Sequence, residues 1–203
     1  MRDEVTWPAT VDAHDGLRRT AHPRSLHSMR IVAGDLRGRR IESPVDDATR
    51  PTTDKVREAV FNALTSLGVV EGAVVWDLFA GTGAMGIEAL SRGAQRCVFV
   101  ENNRSALNVL RSNIETLGLG SRSRVVSGSA LGQSCEDADI VIADPPYGFD
   151  AWDDLLARVG DCLIVAESGG SLPAVDGWDV LRERKYGRTM VTFLRRTSSQ
   201  PVP

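Results

Sequence analysis

Asp77-Leu78-Phe79-Ala80-Gly81-Thr82-Gly83-Ala84-Met85-Gly86 is the stretch whose reading decides the fold. Val74 to Phe79 has strand character and Ala84 to Arg92 reads as a helix, so the glycines stand at a strand-to-helix turn. Gly81 and Gly83 let the backbone bend sharply and approach a ligand closely, and Gly86 permits tight packing of the helix on the sheet. Glu101 closes the next strand-like run, Cys97 to Glu101, about 20 residues on, where a ribose diol would lie. Taken alone, this pattern also fits a dinucleotide-binding unit.

Downstream the chain keeps alternating. Arg104 to Leu117 reads as helix, Arg124 to Ser127 as strand, Ala138 to Asp144 as strand and Ala151 to Val159 as helix. Cys162 to Glu167, Trp178 to Lys185 and Thr189 to Arg195 complete a sheet whose last two strands meet at Tyr186-Gly187. The alternation predicts an α/β fold with a mostly parallel, doubly wound sheet, closed by an antiparallel hairpin. Upstream, Met29 to Glu42 holds two apolar segments around Gly34-Asp35-Leu36-Arg37-Gly38, which suggests a small β-hairpin. Val56, Ala59, Val60, Ala63, Leu64 and Leu67 then recur at helical spacing after a capping signal at Thr52 or Thr53. The expected division is a tail over residues 1–28, a hairpin and helix over 29–70, a main domain over 71–196 and a second tail over 197–203. Met29 is a candidate translational start.

Across the expected crevice from the glycine loop stands Asp144-Pro145-Pro146-Tyr147, after the apolar run Ile140-Val141-Ile142-Ala143. Two prolines fix φ and remove both backbone donors, so the carbonyls there stay available to a ligand. An exocyclic amine on a nucleobase is a poor nucleophile, because its lone pair is delocalised into the ring. The Asp144 side chain and the Pro145 carbonyl can each accept one of its N–H groups and aim the lone pair at an electrophile, while Tyr147 offers a stacking face. Standing alone, Asp-Pro-Pro is also an ordinary turn. Asp77, inside the strand end, suits the cationic amino acid end of a ligand rather than a pyrophosphate. S-adenosylmethionine meets both demands: its methionine end would lie on the loop from Asp77 through Phe79, Ala80, Gly81 and Thr82 to Gly83, its adenosine at Glu101 and Asn102, and its methyl before Asp144.

Composition narrows the class. The net charge of −3 argues against a protein that coats nucleic acid without selectivity, although Arg37, Arg39 and Arg40, and Arg182 to Arg196, form local basic clusters. No apolar stretch approaches the roughly 18 residues that span a bilayer, and the first residues have no hydrophobic signal core, so a cytoplasmic protein without membrane contact is expected. All three histidines precede Ser28, and Cys97, Cys135 and Cys162 lack metal-ligand spacing; no metal site is expected, and the cysteines read as buried structural thiols.

With Met29-Arg30-Ile31-Val32-Ala33-Gly34, the Gly38-Arg39-Arg40 step, Arg50 to Asn62, Gly86 to Ala94 and Asp144 to Tyr147 on the page, the chain resembles the RsmD family, bacterial class I methyltransferases acting on guanine N2 of 16S ribosomal RNA. The resemblance runs from Met29 to about Arg196. It implies a Rossmann-like fold with seven strands, S-adenosylmethionine as methyl donor, and 16S rRNA or the assembling small subunit as partner of a monomer. Asp144 and the Pro145 carbonyl would hold the guanine amine, Tyr147 would stack the flipped base, and Glu101 would take the ribose hydroxyls. At Gly128-Ser129-Ala130 the sequence departs from relatives that carry Asp or Asn for the adenine amine, leaving Ser129 a weaker contact. Two other readings stay open: a DNA adenine-N6 methyltransferase, disfavoured by the little chain left for a DNA-reading domain, and a non-catalytic nucleic-acid-binding protein of the same fold.

Overall fold

Four short apolar strands, buried on both sides, form the centre of the sheet, as parallel strands covered on both faces require. The computed structural model describes residues 26–44 and 51–197. Strands β3 (Val74–Asp77), β4 (Arg96–Glu101), β5 (Ser123–Ser127), β6 (Ile140–Ala143), β7 (Leu163–Ser168), β8 (Trp178–Tyr186) and β9 (Thr189–Arg196) make one seven-stranded sheet in the order β5-β4-β3-β6-β7-β9-β8. The first five run parallel, and β9 and β8 close the edge antiparallel. This is the Rossmann-like class I arrangement expected, with strand order reversing between β3 and β6.

Helices α1 (Pro51–Ser66), α2 (Ala84–Ser91) and α3 (Arg104–Thr116) cover one face, where Val60, Phe61, Ile87, Leu90 and Leu110 meet Val75, Phe99, Ile142 and Val165. The other face buries Trp76, Val98, Val141, Ile164 and Trp178 with α4 (Trp152–Leu156). Helix α4 is shorter than the expected Ala151 to Val159. Its C-terminal continuation is diverted into a parallel bridge between Val159 and Cys135, in which the Cys135 N–H donates to the Arg158 carbonyl at 2.9 Å. Gly86 does allow close helix–sheet contact: a Cβ there would stand 2.3 Å from Phe99 and 2.6 Å from the Cys97 sulfur. Cys97, Cys135 and Cys162 are buried free thiols, and burial pushes Cys135 and Cys162 up to about 12.

Strands β1 (Leu26–Arg30) and β2 (Arg40–Pro44) form the expected antiparallel hairpin, but it begins at Leu26 rather than Met29, because residues 26–28 pair with 42–44. Most of the expected tails, residues 1–25 and 198–203, lies outside the described residues. A buried acid fastens the hairpin. Glu88, fully buried on α2, accepts from the Val32 and Ala33 N–H groups at 2.9 and 3.0 Å and from Arg92 at 2.8 Å, and Arg57 of α1 stands 3.6 Å away. Arg57 also donates to the Arg30 carbonyl at 2.8 Å. Gly34, at φ 81, lies so close to α2 that a Cβ would be 1.8 Å from the Ser91 carbonyl oxygen. Arg39, expected in a basic cluster, donates to the Thr116 and Leu117 carbonyls at the C-terminal end of α3, where cations are favoured.

Candidate active site

The loop leaving β3 makes its turn with positive φ at Gly81 (54) and Gly83 (88), and α2 begins directly after Gly83. Around Gly81 a Cβ would meet nothing within 4 Å, so this loop faces open space. At Gly83 the reverse holds, since a Cβ would be 2.5 Å from Leu110. The Ala80 N–H donates to the Val100 carbonyl at 3.0 Å and the Gly83 N–H to the Ala80 carbonyl at 2.7 Å. The Thr82 carbonyl accepts from the buried Asn113 carboxamide at 3.0 Å, which also exchanges hydrogen bonds with the Glu42 backbone.

Glu101 ends β4 beside this loop. One carboxylate oxygen accepts from the Gly81 N–H at 2.7 Å, the other from Asn102 and Asn103 N–H at 2.8 and 2.7 Å. A carboxylate has about four acceptor positions, so three fixed bonds leave it oriented with room for one hydroxyl donor. Ser129 and Ala130 follow β5, and the Gly128 N–H donates to the Glu101 backbone carbonyl at 2.9 Å, which ties this turn to the end of β4. The Ser129 hydroxyl caps a short helical turn by accepting from the Leu131 N–H at 3.3 Å, and the Ala130 side chain is buried in the core.

Asp144-Pro145-Pro146-Tyr147 leaves β6, next to β3 in the sheet. Its chain folds back at Gly148 (φ 81), where the Phe149 N–H donates to the Pro146 carbonyl at 3.2 Å. Tyr147 stands 65% exposed. Phe149, which sequence reading did not single out, packs edge-on against Phe79 of the glycine loop at 5.4 Å and against Trp152 at 5.1 Å, so one aromatic row joins the two loops.

A row of carboxylates is the main electrostatic feature. Residues 75, 99, 142 and 165 face the same side of the sheet. By the two-residue repeat of a strand, Asp77, Glu101, Asp144 and Glu167 belong to that side too, at the C-terminal ends of β3, β4, β6 and β7. Asp77 is 2% exposed, and its carboxylate accepts from the Gly86 N–H at 3.0 Å. Burial lifts its pKa from 3.8 to about 7; the Gly86 bond opposes the rise, and the charges of Asp144 and Glu101 add to it. Glu167 is lifted to about 8 by burial first, then by Asp144 and Asp77. Sequence reading missed Glu167, although it closes Leu163-Ile164-Val165-Ala166 just as Asp144 closes the run before it. A lobe lined by buried acids above an open glycine loop fits a cationic ligand, since positive charge lowers the cost of ionising them.

Arg50 lies outside the described residues. A groove of about 650 Å³ between α1 and β8–β9, lined by Leu67, Leu181, Arg182, Arg184, Tyr186 and Phe193, contains none of the expected site residues.

The family model for Conserved hypothetical protein 95 matches residues 29–195. The chain belongs to this family, the RsmD methyltransferases. Among RsmD relatives, Ribosomal RNA small subunit methyltransferase D of Escherichia coli strain K12 is 35% identical over 181 residues, covering 83% of this chain and 90% of that one. The protein of the same name from Haemophilus influenzae is 30% identical over 186 residues, covering 84% and 95%. The solved structure of yhhF from Escherichia coli superposes with a TM-score of 0.75 at 35% identity, covering 85% of this chain and all of that one. This RsmD-family chain is therefore a methyltransferase by family and by fold.

Proposed function

We propose that this protein transfers a methyl group from S-adenosylmethionine to the exocyclic N2 of a guanine in 16S ribosomal RNA, acting in the cytoplasm as a monomer on the RNA or on the assembling small subunit. The observation that carries the reading is the adjacency of the glycine loop after β3 and Asp144-Pro145-Pro146-Tyr147 after β6, close enough that Asp144 raises the pKa of Asp77. The relatives named Ribosomal RNA small subunit methyltransferase D support the choice of RNA.

Bound at this edge, S-adenosylmethionine supplies an electrophilic methyl on a positively charged sulfonium. Asp77 and the loop from Phe79 through Ala80, Gly81 and Thr82 to Gly83 would hold its amino acid end. Glu101, with Asn102 beside it, would take a ribose hydroxyl, and Ser129 and Ala130 would line the adenine. Asp144 and the Pro145 carbonyl accept the two N–H groups of the guanine amine, and Pro146 keeps that turn rigid. Tyr147, exposed beside them, stacks on the base. Rate acceleration comes from positioning and from the Asp144 carboxylate as positive charge grows on nitrogen. No separate base is needed, because the methylated amine sheds its proton readily.

The test is radiolabelled methyl transfer to small-subunit RNA and to DNA from a strain lacking the enzyme, followed by nucleoside analysis. N2-methylguanosine is expected. N6-methyladenine in DNA would replace the reading with the DNA alternative, and no transfer to either substrate would refute it.

A further inference from the structure

Among the acids at the sheet edge, Glu167 has no role in the arrangement above. It is 8% exposed, and among the described residues its side chain makes no hydrogen bond or ion pair. Among the described residues its charged neighbours are the acids Asp144 and Asp77. A buried carboxyl with no donor among the described residues is costly, and it suits a place where a bound ligand brings one. The register defines where. Ala143 pairs with Ala166, so Asp144 and Glu167 follow at the same level on adjacent parallel strands, roughly 4.8 Å apart. Two carboxylates at that spacing can converge on one edge of a planar base.

We propose that Glu167 reads the base, its carboxylate accepting the guanine N1–H while Asp144 accepts from the neighbouring N2 amine. This rests on the proposed function and names what selects the acceptor within it. Guanine presents N1–H and N2–H side by side, one donor for each acid. Adenine presents a lone pair at N1, which the carboxylate repels once it is ionised, above about pH 8 in the ligand-free protein. Asp144 alone does not make this distinction, since an exocyclic amine is common to both bases. Glu167 therefore supplies the guanine preference, and Asp144 the grip on the reacting nitrogen.

2-Aminopurine separates the two contacts: it keeps the C2 amine and lacks the N1–H. Once the methylated position has been mapped, reconstituted small-subunit RNA carrying guanine or 2-aminopurine there is methylated by the wild type and by Glu167→Ala and Glu167→Gln, with kcat/KM measured for each above pH 8, where Glu167 is ionised. The wild type should prefer guanine by roughly 10- to 100-fold, the range of one hydrogen bond to a charged group. Glu167→Ala should lower that preference about tenfold or more by losing rate on guanine alone, with cofactor affinity by calorimetry unchanged. The isosteric Glu167→Gln, whose amide oxygen still accepts N1–H, should fall between the two and guards against a folding defect in the alanine variant. An unchanged preference in both variants overturns the assignment, as does a loss of cofactor affinity without a change in preference. Absence of any wild-type transfer to guanine would instead sink the underlying function, and this inference with it.

Discussion

Asp77→Asn isolates one of the two large electrostatic strains that the acid row places on the fold. In the unfolded chain this carboxyl ionises near its ordinary 3.8, whereas in the folded protein it holds its proton to about 7. Between about pH 4 and pH 7 the native state therefore binds a proton that the unfolded state has released, and stability falls as pH rises through that window. At about 1.4 kcal/mol per pH unit, the loss amounts to about 4 kcal/mol once pH exceeds 7. Asparagine offers the same acceptor to the Gly86 N–H and carries no charge, so the variant should escape the loss. Urea unfolding without cofactor, followed by fluorescence of the buried Trp76, Trp152 and Trp178, gives the comparison. Near pH 4 the two proteins should be about equally stable, and near pH 8 the variant should lead by up to about 4 kcal/mol. Glu167 shifts in the same direction in both proteins but less in the variant, where the charge of Asp77 no longer raises it, so the difference reports Asp77 together with its repulsion of Glu167. A difference that stays constant from pH 4 to pH 8 would refute the reasoning.

Other outcomes follow from the same contacts. Glu88→Ala strips the half-buried Arg92 of its counter-charge, leaves the buried Arg57 only the exposed Asp54, and should cost about 3–5 kcal/mol in denaturant unfolding; a cost below about 1 kcal/mol would mean that the cluster carries no net stability. Gly34→Ala combines a positive φ with a clash on the Ser91 carbonyl, so the hairpin should become protease-sensitive while the core melts cooperatively, and an unaltered digestion pattern would count against its docking. Asp144→Ala should abolish methyl transfer with cofactor affinity nearly intact; near-normal turnover would remove it from the chemistry. Tyr147→Ala should raise KM for RNA, while Tyr147→Phe stays mild, and equal losses in both would point to the hydroxyl rather than the ring.

The fold was legible because its signals are local. Each central strand is a short apolar run ended by a turn residue, and the glycines that φ and close packing demand stand in plain view at 81, 83 and 86. Most elements accordingly fall within a residue or two of their expected bounds. The misses are long-range. Helix α4 ends early because Val159 bridges to Cys135, a pairing that the pattern at Ala151 to Val159 does not encode. Glu88 looked like an ordinary helical acid, and only its burial between α1, α2 and the hairpin shows it to be a fastening point. Glu167 had a signal, an acid closing a buried parallel strand. Reading it required the strand order, which puts β7 beside β6.

The Asn113 carboxamide joins two separate segments, because it holds the Glu42 backbone of the hairpin and the Thr82 carbonyl of the glycine loop at once. The two segments thus share one rotamer. Whatever immobilises the loop must slow the opening of β2, and by reciprocity whatever loosens β2 must weaken the hold of the loop on its ligand by the same factor. Amide exchange at Glu42 becomes a remote gauge of occupancy at a loop 40 residues away in sequence, and the hairpin contributes to binding without touching what is bound.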